Sequence, residues 1–296
     1  MYAFIDGKMA KLTAIDPTTG TESQVAYFLP KEDAVAIDSQ ILLMNYDSVP
    51  VRRAMFSPDF SKVTAIKNMP DGTRHVGWID TNGAFSDISA STGAGSSQGF
   101  SSAKSQDTPM FGTDGSFYFA SRDAGGSTKT QPTIMKVDPK AKDKATATKV
   151  IPDSEGVNYF VNPDGSINGG TTSVLYQNGR QGVGVYNVQD WITDVEYVEI
   201  SPGGESTNIY RENAATRDKD MLPYGISGRP LLPKTNRQVF SPIVSPDKSR
   251  IAFLSKAPNS STIDLFTVDS AGQTEPKQIT LKANSLSTKT RFLAWK

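Results

Sequence analysis

Ser245-Pro-Asp-Lys-Ser-Arg-Ile-Ala-Phe253, followed by Ile263-Asp-Leu-Phe-Thr-Val-Asp269, Gly272 and Gln278-Ile-Thr280, is the stretch whose reading decides the fold. Ser-Pro-Asp-Lys is turn chemistry, because Pro presets one dihedral and Asp bonds its own backbone two residues on. Ile-Ala-Phe and Leu-Phe-Thr-Val carry the β-branched and aromatic residues that suit a pleated surface. The unit therefore reads as an apolar slot at Val244, an Asp turn, a strand, a hairpin, a second strand ending in Asp, a Gly turn and a last strand. Three further segments open in the same way: Phe56-Ser-Pro-Asp59, Phe111-Gly-Thr-Asp114 and Val161-Asn-Pro-Asp164. In three of the four copies a later strand ends in a second Asp, at Asp80, Asp138 and Asp269, 21 to 24 residues on.

Strand-like runs recur between these markers, as at Lys62–Ile66, Ser116–Ala120, Ser173–Gln177, Gly182–Val188, Asp194–Ile200, Arg250–Leu254 and Asp264–Val268. Asn82-Gly83 and Asn178-Gly179 are dipeptides that tolerate the left-handed dihedrals of tight hairpins. No segment sustains a helical apolar period with caps, so the chain reads as all-β. A meander of four antiparallel strands repeated every ~40–50 residues is the blade of a β-propeller. The apolar slots fall at Phe56, Phe111, Val161, Val244 and Trp295, in steps of 55, 50, 83 and 51. The long step holds two degenerate blades or one blade with an insertion. Six blades is the expectation, with five and seven as alternatives, in one domain over 1–296. Trp295 takes the slot position before a missing Ser-Pro-Asp, and Met1-Tyr-Ala-Phe4 reads as the strand that would follow. The two terminal strands are thus expected to share a blade and close the ring, which leaves no open edge.

The units at 245–280, 57–80 and 111–138 resemble the WD40-like (PD40) repeats of TolB-type propellers, whose blade runs SPDGxxIAF, then a strand ending in Asp, Gly and a final LT. Phe60 and Lys248 stand where that repeat has its turn glycine, and Gly112-Thr113 replaces Ser-Pro. The resemblance implies a propeller fold, recognition of a protein, peptide or extended ligand at one mouth of the ring, and export from a bacterial cytoplasm to the periplasm, the exterior or a lipid anchor. Met1 is followed at once by a strand, so a signal segment would be missing from this sequence, or the chain is cytoplasmic.

Composition narrows the chemistry. The 296 residues are 37% hydrophobic and 21% charged, ordinary values for a chain with a real core. Lys+Arg and Asp+Glu both number 31, which removes the bulk electrostatic case for nucleic acid. With no cysteine there is no thiolate nucleophile, disulfide or zinc-thiolate site, and one histidine excludes a multi-imidazole centre. No apolar run reaches ~18 residues, so no helical membrane span is expected. A monomer without cofactor or metal is the expectation.

Asp59, Asp114, Asp164 and Asp247 invite a carboxylate-pair reading, but their repeated turn position assigns them a local structural task. Ser121-Arg-Asp123-Ala-Gly125-Gly-Ser127 carries the letters of a sialidase Asp-box, with Thr128 in place of its Trp. His75 is a possible general base. Gly225-Ile-Ser-Gly228 falls short of a nucleophile elbow. Lys136, Lys140, Lys142, Lys144 and Lys149 form a basic hairpin whose Asp138 and Asp143 blunt the charge. Asp80, Asn82 and Asp87 offer oxygen ligands without the loop order of a calcium site. The Gly- and Ser-rich Ser89–Ser105 and the loop-like Asn213–Asn236 are the expected binding rim, since recognition concentrates on loops held by a rigid scaffold. No catalytic, cofactor-binding or metal-binding residue is assigned. A non-catalytic binding module is the expected function. The alternative is a carbohydrate-active hydrolase, which needs only carboxylates, placed in the central channel.

Overall fold

The computed structural model describes residues 2–5, 8–37, 48–88, 104–123, 133–140, 148–151, 157–161, 167–171, 188–193, 195–200, 206–213, 216, 228–272, 274–283 and 285–295. Among them the chain forms six antiparallel sheets, five of four strands and one of two. The first sheet contains β1 (Tyr2–Ile5), β2 (Ala10–Ile15) and β3 (Glu22–Phe28), with β22 (Thr290–Phe292) on the far side of β1. The second holds β4 (Val35–Ile37), β5 (Lys62–Asn68), β6 (Arg74–Asp80) and β7 (Phe85–Asp87). The third holds β8 (Lys104–Phe111), β9 (Phe117–Asp123), β10 (Thr133–Val137) and β11 (Thr148–Ile151). The fourth shows β12 (Val157–Val161) and β13 (Ile167–Thr171). The fifth holds β14 (Val188–Trp191), β15 (Glu196–Ile200), β16 (Ile209–Asn213) and β17 (Arg229–Pro230). The sixth holds β18 (Gln238–Val244), β19 (Arg250–Lys256), β20 (Ile263–Asp269) and β21 (Lys277–Ile279).

Strand order is sequential in every sheet except the first, where Tyr2 pairs with Phe292 and Phe4 with Thr290. The expected pairing of the terminal strands is therefore present. The runs Ser173–Gln177 and 182–187, and Asn178-Gly179, lie outside the described residues. Among the described residues, four pairs of neighbouring sheets are joined by shared cores, as alternating apolar residues on both faces require. Leu12 and Phe28 meet Phe56, Val63 and Ile79 between the first and second sheets. Ile66 and Trp78 meet Phe111, Phe117 and Phe119 between the second and third. Val198 and Ile209 meet Val239, Ile251 and Phe253 between the fifth and sixth. Leu254 and Leu265 meet Tyr2 and Phe292 between the sixth and first.

The all-β expectation holds with one short helix added, and one loop expectation needs correction. The chain has a helix, α1 (Val49–Ala54), capped by Ser48, with Pro50 in its first turn. Six residues are too few to display an apolar period. The helix interrupts the inner edge of the second sheet: β4 pairs with the far half of β5, and Phe56 resumes the pairing opposite Val63. The correction is that Asn213–Asn236 is not all loop, because Arg229-Pro230 pairs with Tyr210 and Arg211 as the outer strand of the fifth sheet. Pro is tolerated there because the strand lies on an edge.

The long step between Val161 and Val244 contains a copy that the spacing search passes over, Trp191-Ile192-Thr193 followed in sequence by Asp194. Trp191 ends β14, just as Phe111 and Val244 end β8 and β18. The inner strands β8 and β18 also share a break in register three residues before the slot, at Thr108-Pro109 and Ser241-Pro242. The prolines remove ladder donors, which fits a bulge at an edge.

Candidate functional site

The repeat aspartates hold their own turns. Asp247 accepts from Ser245 Oγ at 2.6 Å, Ser249 N at 3.1 Å and Ser249 Oγ at 2.7 Å. Ser245 Oγ in turn accepts from Arg250 N at 2.9 Å. Asp59 repeats this pattern with Ser57 and Ser61. Asp114 accepts from Ser116 N and from Lys136 Nζ, each at 2.9 Å. Asp164 lies outside the described residues. The missing turn glycines at Phe60 and Lys248 are left-handed all the same, at φ 59° and 62°. Each has a compensating contact: the Arg53 guanidinium lies 4.0 Å over the Phe60 ring, and Lys248 Nζ donates to Trp191 O at 3.2 Å.

His75 lies within β6, where Nδ1 is 2.9 Å from Asp87 Oδ2 at the end of β7. Asp80 Oδ1 accepts from the amides of Asn82 and Ala84 in its own turn. Asp80 and Asp87 thus serve different partners. The described residues contain no cluster of three or more His, Cys, Asp or Glu suited to a metal. Of the basic hairpin, Lys136 belongs to Asp114, Lys149 lies on β11, Lys140 N bonds Asp138, and Lys142 and Lys144 are outside the described residues. Ser121–Asp123 end β9, and 124–127 are outside the described residues, as are 225–227 and most of 89–105 and 213–236.

In an antiparallel meander the first and third turns emerge at the same edge of each sheet. At that edge, between the sixth and first sheets, lies a cleft of about 310 Å³. One wall is the Ser245–Arg250 turn and the other is the turn at Pro17 and Thr18, with Lys277 and Ile279 of β21 and Trp295 completing the lining. Both walls are fixed from behind. Asp190 Oδ2 accepts from Val244 N at 2.8 Å, and Ser270 Oγ donates to Lys248 O at 2.6 Å. Asp16 accepts from Thr18 N at 2.8 Å and Thr19 Oγ1 at 2.7 Å, while Lys282 N donates to Gly20 O at 3.1 Å. A cleft bounded by pre-ordered turns loses little freedom when it takes a ligand. Sequence reasoning placed recognition on the long loops, most of which lie outside the described residues, and did not single out these short turns. Their only sequence signal is the repeat itself, together with Trp295 at the slot.

Behind the turn, α1 packs against β12, β14 and β22. Its Arg52 is fully buried, and Nη1 donates to Ser241 Oγ at 3.3 Å. Ser241 Oγ also accepts from Phe292 N at 2.8 Å, a bond made possible by a left-handed backbone at φ 49°. Asp190 is enclosed nearby, with Oδ1 accepting from Trp191 N at 2.9 Å. Burial pushes its carboxyl up to about 6, against the backbone bonds and the charges of Lys248 and Arg52.

These carboxylates give the stability a two-signed pH dependence. Hydrogen bonds from Ser57 to Asp59 and from Ser245 to Asp247 hold both carboxyls at about 2, from an ordinary value of 3.8. Their contribution is complete above about 4 and is lost as pH falls toward 2. The raised Asp190 acts oppositely, because the folded state takes its proton first and gains stability as pH falls from about 6 to about 4. The thermal midpoint is expected to hold or rise from pH 7 to 5 and to fall below 4. Asp190→Asn should flatten the upper limb alone, and Asp59→Ala should weaken the lower limb. A midpoint falling steadily from pH 7 to 4, or an upper limb unchanged in Asp190→Asn, would contradict the assignment.

No family model matches the chain, and no curated protein matches it. Among solved structures, TolB from Acinetobacter baumannii is similar at 16% identity and a TM-score of 0.31, covering 97% of this chain and 53% of its own. The chain thus spans about half the length of that protein. Oligogalacturonate lyase from Vibrio parahaemolyticus is similar at 10% identity and a TM-score of 0.36, covering 93% of this chain and 74% of its own. The β-propeller domain of the trilobed protease from Pyrococcus furiosus is similar at 12% identity and a TM-score of 0.31, covering 95% and 98%.

Proposed function

We propose that the chain is one six-bladed propeller over 1–296, closed by β22 beside β1, and that it is an exported, non-catalytic module binding an extended protein or peptide partner. The six sheets supply the blades, and the clusters joining the fifth, sixth, first, second and third sheets supply most of the ring contacts. The repeat resemblance supports export and a protein partner.

The observation that carries the binding reading is the cleft between the sixth and first sheets. It is built on turns whose carboxylates, Asp16 and Asp247, are engaged by their own backbone and hydroxyl neighbours. A glycosidase instead needs two carboxyl groups facing one another ~5–10 Å apart across an open site. A panel of aryl glycosides and esters tests the reading against its rival. No turnover is expected. Turnover that disappears on mutation of a single carboxylate would overturn the binding module in favour of the hydrolase.

A further inference from the structure

Several cations of the described surface are engaged. Lys67 pairs with Glu32, Lys136 with Asp114, Arg211 with Glu196 and Arg237 with Asp264. Arg53 and Arg229 donate to backbone carbonyls. Two that line the cleft differ. The side chains of Arg250 and Lys277 are exposed and make no hydrogen bond or ion pair among the described residues. Lys277 shares a face of β21 with Ile279, because alternate residues of a strand point the same way. The opposing charge in the lining is Asp247, whose carboxylate feels the Arg250 charge and whose oxygens accept hydrogen bonds from Ser245 and Ser249, leaving Lys277 as the uncompensated cation of the lining. Beside the cations stand the half-buried Trp295 ring, Pro17 and Pro246.

We infer that this cleft takes an acidic peptide segment, its carboxylate held by Arg250 and Lys277 and a neighbouring apolar or proline side chain set against Trp295. This deepens the binding-module reading and rests on it. A guanidinium fork matches a carboxylate with two parallel bonds, and an ammonium adds a point charge from the other side. The cleft volume lies at the small end of ligand sites, so it suits a few residues of an extended chain and not a folded surface. Lys277 and Ile279 on an outer strand offer such a chain alternating polar and apolar contacts.

Trp295 provides the readout. Of three tryptophans, Trp78 and Trp191 are buried at 3% and 7% exposure, leaving Trp295 as the accessible one. Measured against N-acetyltryptophanamide, the ratio of iodide to caesium quenching of its fluorescence should be raised, as the two cations of the lining predict. An acetylated hexaglutamate peptide should shift Trp295 emission and shield it from acrylamide, with an affinity that falls as salt rises. Hexaglutamine should do neither. Arg250→Glu with Lys277→Glu should weaken hexaglutamate at least about ten-fold by calorimetry, since two attractive rim charges become repulsive. That variant should keep its thermal midpoint, and Trp295→Phe should remove the optical signal. Hexaglutamate binding that is absent, or unchanged in the double variant, would overturn the inference. So would an oligogalacturonate probe binding in place of the peptide, or inorganic phosphate competing at equal concentration. A non-acidic peptide that shields Trp295 would sink the acidic partner and leave the binding module standing. Catalytic turnover would sink the module whatever hexaglutamate does.

Discussion

Deleting residues 291–296 is expected to abolish the sharp thermal transition, or to lower its midpoint by at least about 10 °C. The deletion removes two of the three β22 residues that pair with Tyr2–Phe4. It takes Phe292 and Leu293, 5% and 1% exposed, out of two different core clusters. Core losses of that size cost about 2–5 kcal/mol each, and a domain has only about 5–15 kcal/mol in all. Phe292 N also leaves Ser241 Oγ, so the bulge that holds Arg52 loses one of its bonds. The edge of β1 is then bare, which invites association with other chains. Differential scanning calorimetry with light scattering reads both effects. An unchanged midpoint in the truncated chain would show that the terminal pairing contributes nothing.

Gly83→Ala and Gly20→Ala are expected to be the most damaging single-methyl additions in the described structure. Gly83 sits at φ 79° in the turn between β6 and β7, and an added Cβ would lie 2.1 Å from Leu29 O, just beyond β3. Gly20 sits at φ 65° between β2 and β3, and its Cβ would lie 1.9 Å from Thr280 O, just beyond β21. The two are the same device: the third turn of each sheet is pressed against the exit of the sheet before it. The left-handed dihedral alone costs about 1–2 kcal/mol for a residue with a side chain. Relieving the clash parts the sheets and breaks Lys31 N to Gly83 O or Lys282 N to Gly20 O, about 0.5–1.5 kcal/mol more. Chemical denaturation should show the loss, with Gly72→Ala as the control. Gly72 has the same dihedral sign, at φ 81°, but nothing within 4 Å, so only the dihedral cost should appear. Equal losses at Gly72 and Gly83 would remove the inter-sheet contact from the account.

The β-meander was legible because its turns obey local chemistry. Asp59, Asp114 and Asp247 sit where an Asx turn wants them, and the side chain bonds its own neighbourhood whatever the rest of the chain does. The terminal pairing was legible because Trp295 kept its place in the slot series. Two features were not. The helix α1 depends on Ser48 and on packing against strands remote in sequence, neither of which shows as a period. The cleft joins Thr18 to Asp247 and Lys277, three turns or strands that the repeat reading treated as separate structural parts. Its cations, Arg250 and Lys277, lie 27 residues apart in sequence, and only the packing of the sixth sheet against the first puts both beside Trp295. The same holds for His75, whose companion Asp87 lies across a hairpin.

The register of Tyr2 opposite Phe292 also bears on how fast the molecule forms. Every other described strand pair is closed by a connection of a few residues to a few tens, whereas this one closes a loop of about 290. On ideal-chain statistics that closure costs roughly 3 kcal/mol more than a ten-residue hairpin. The first sheet is therefore the late event of folding, assembled after the local meanders have formed and most of the chain has become compact. Until then β1 and β2 wait as an incomplete unit with an unpaired inner edge. Substitutions in β22 should in consequence speed unfolding while leaving the folding rate nearly untouched, because the contacts they weaken form after the barrier.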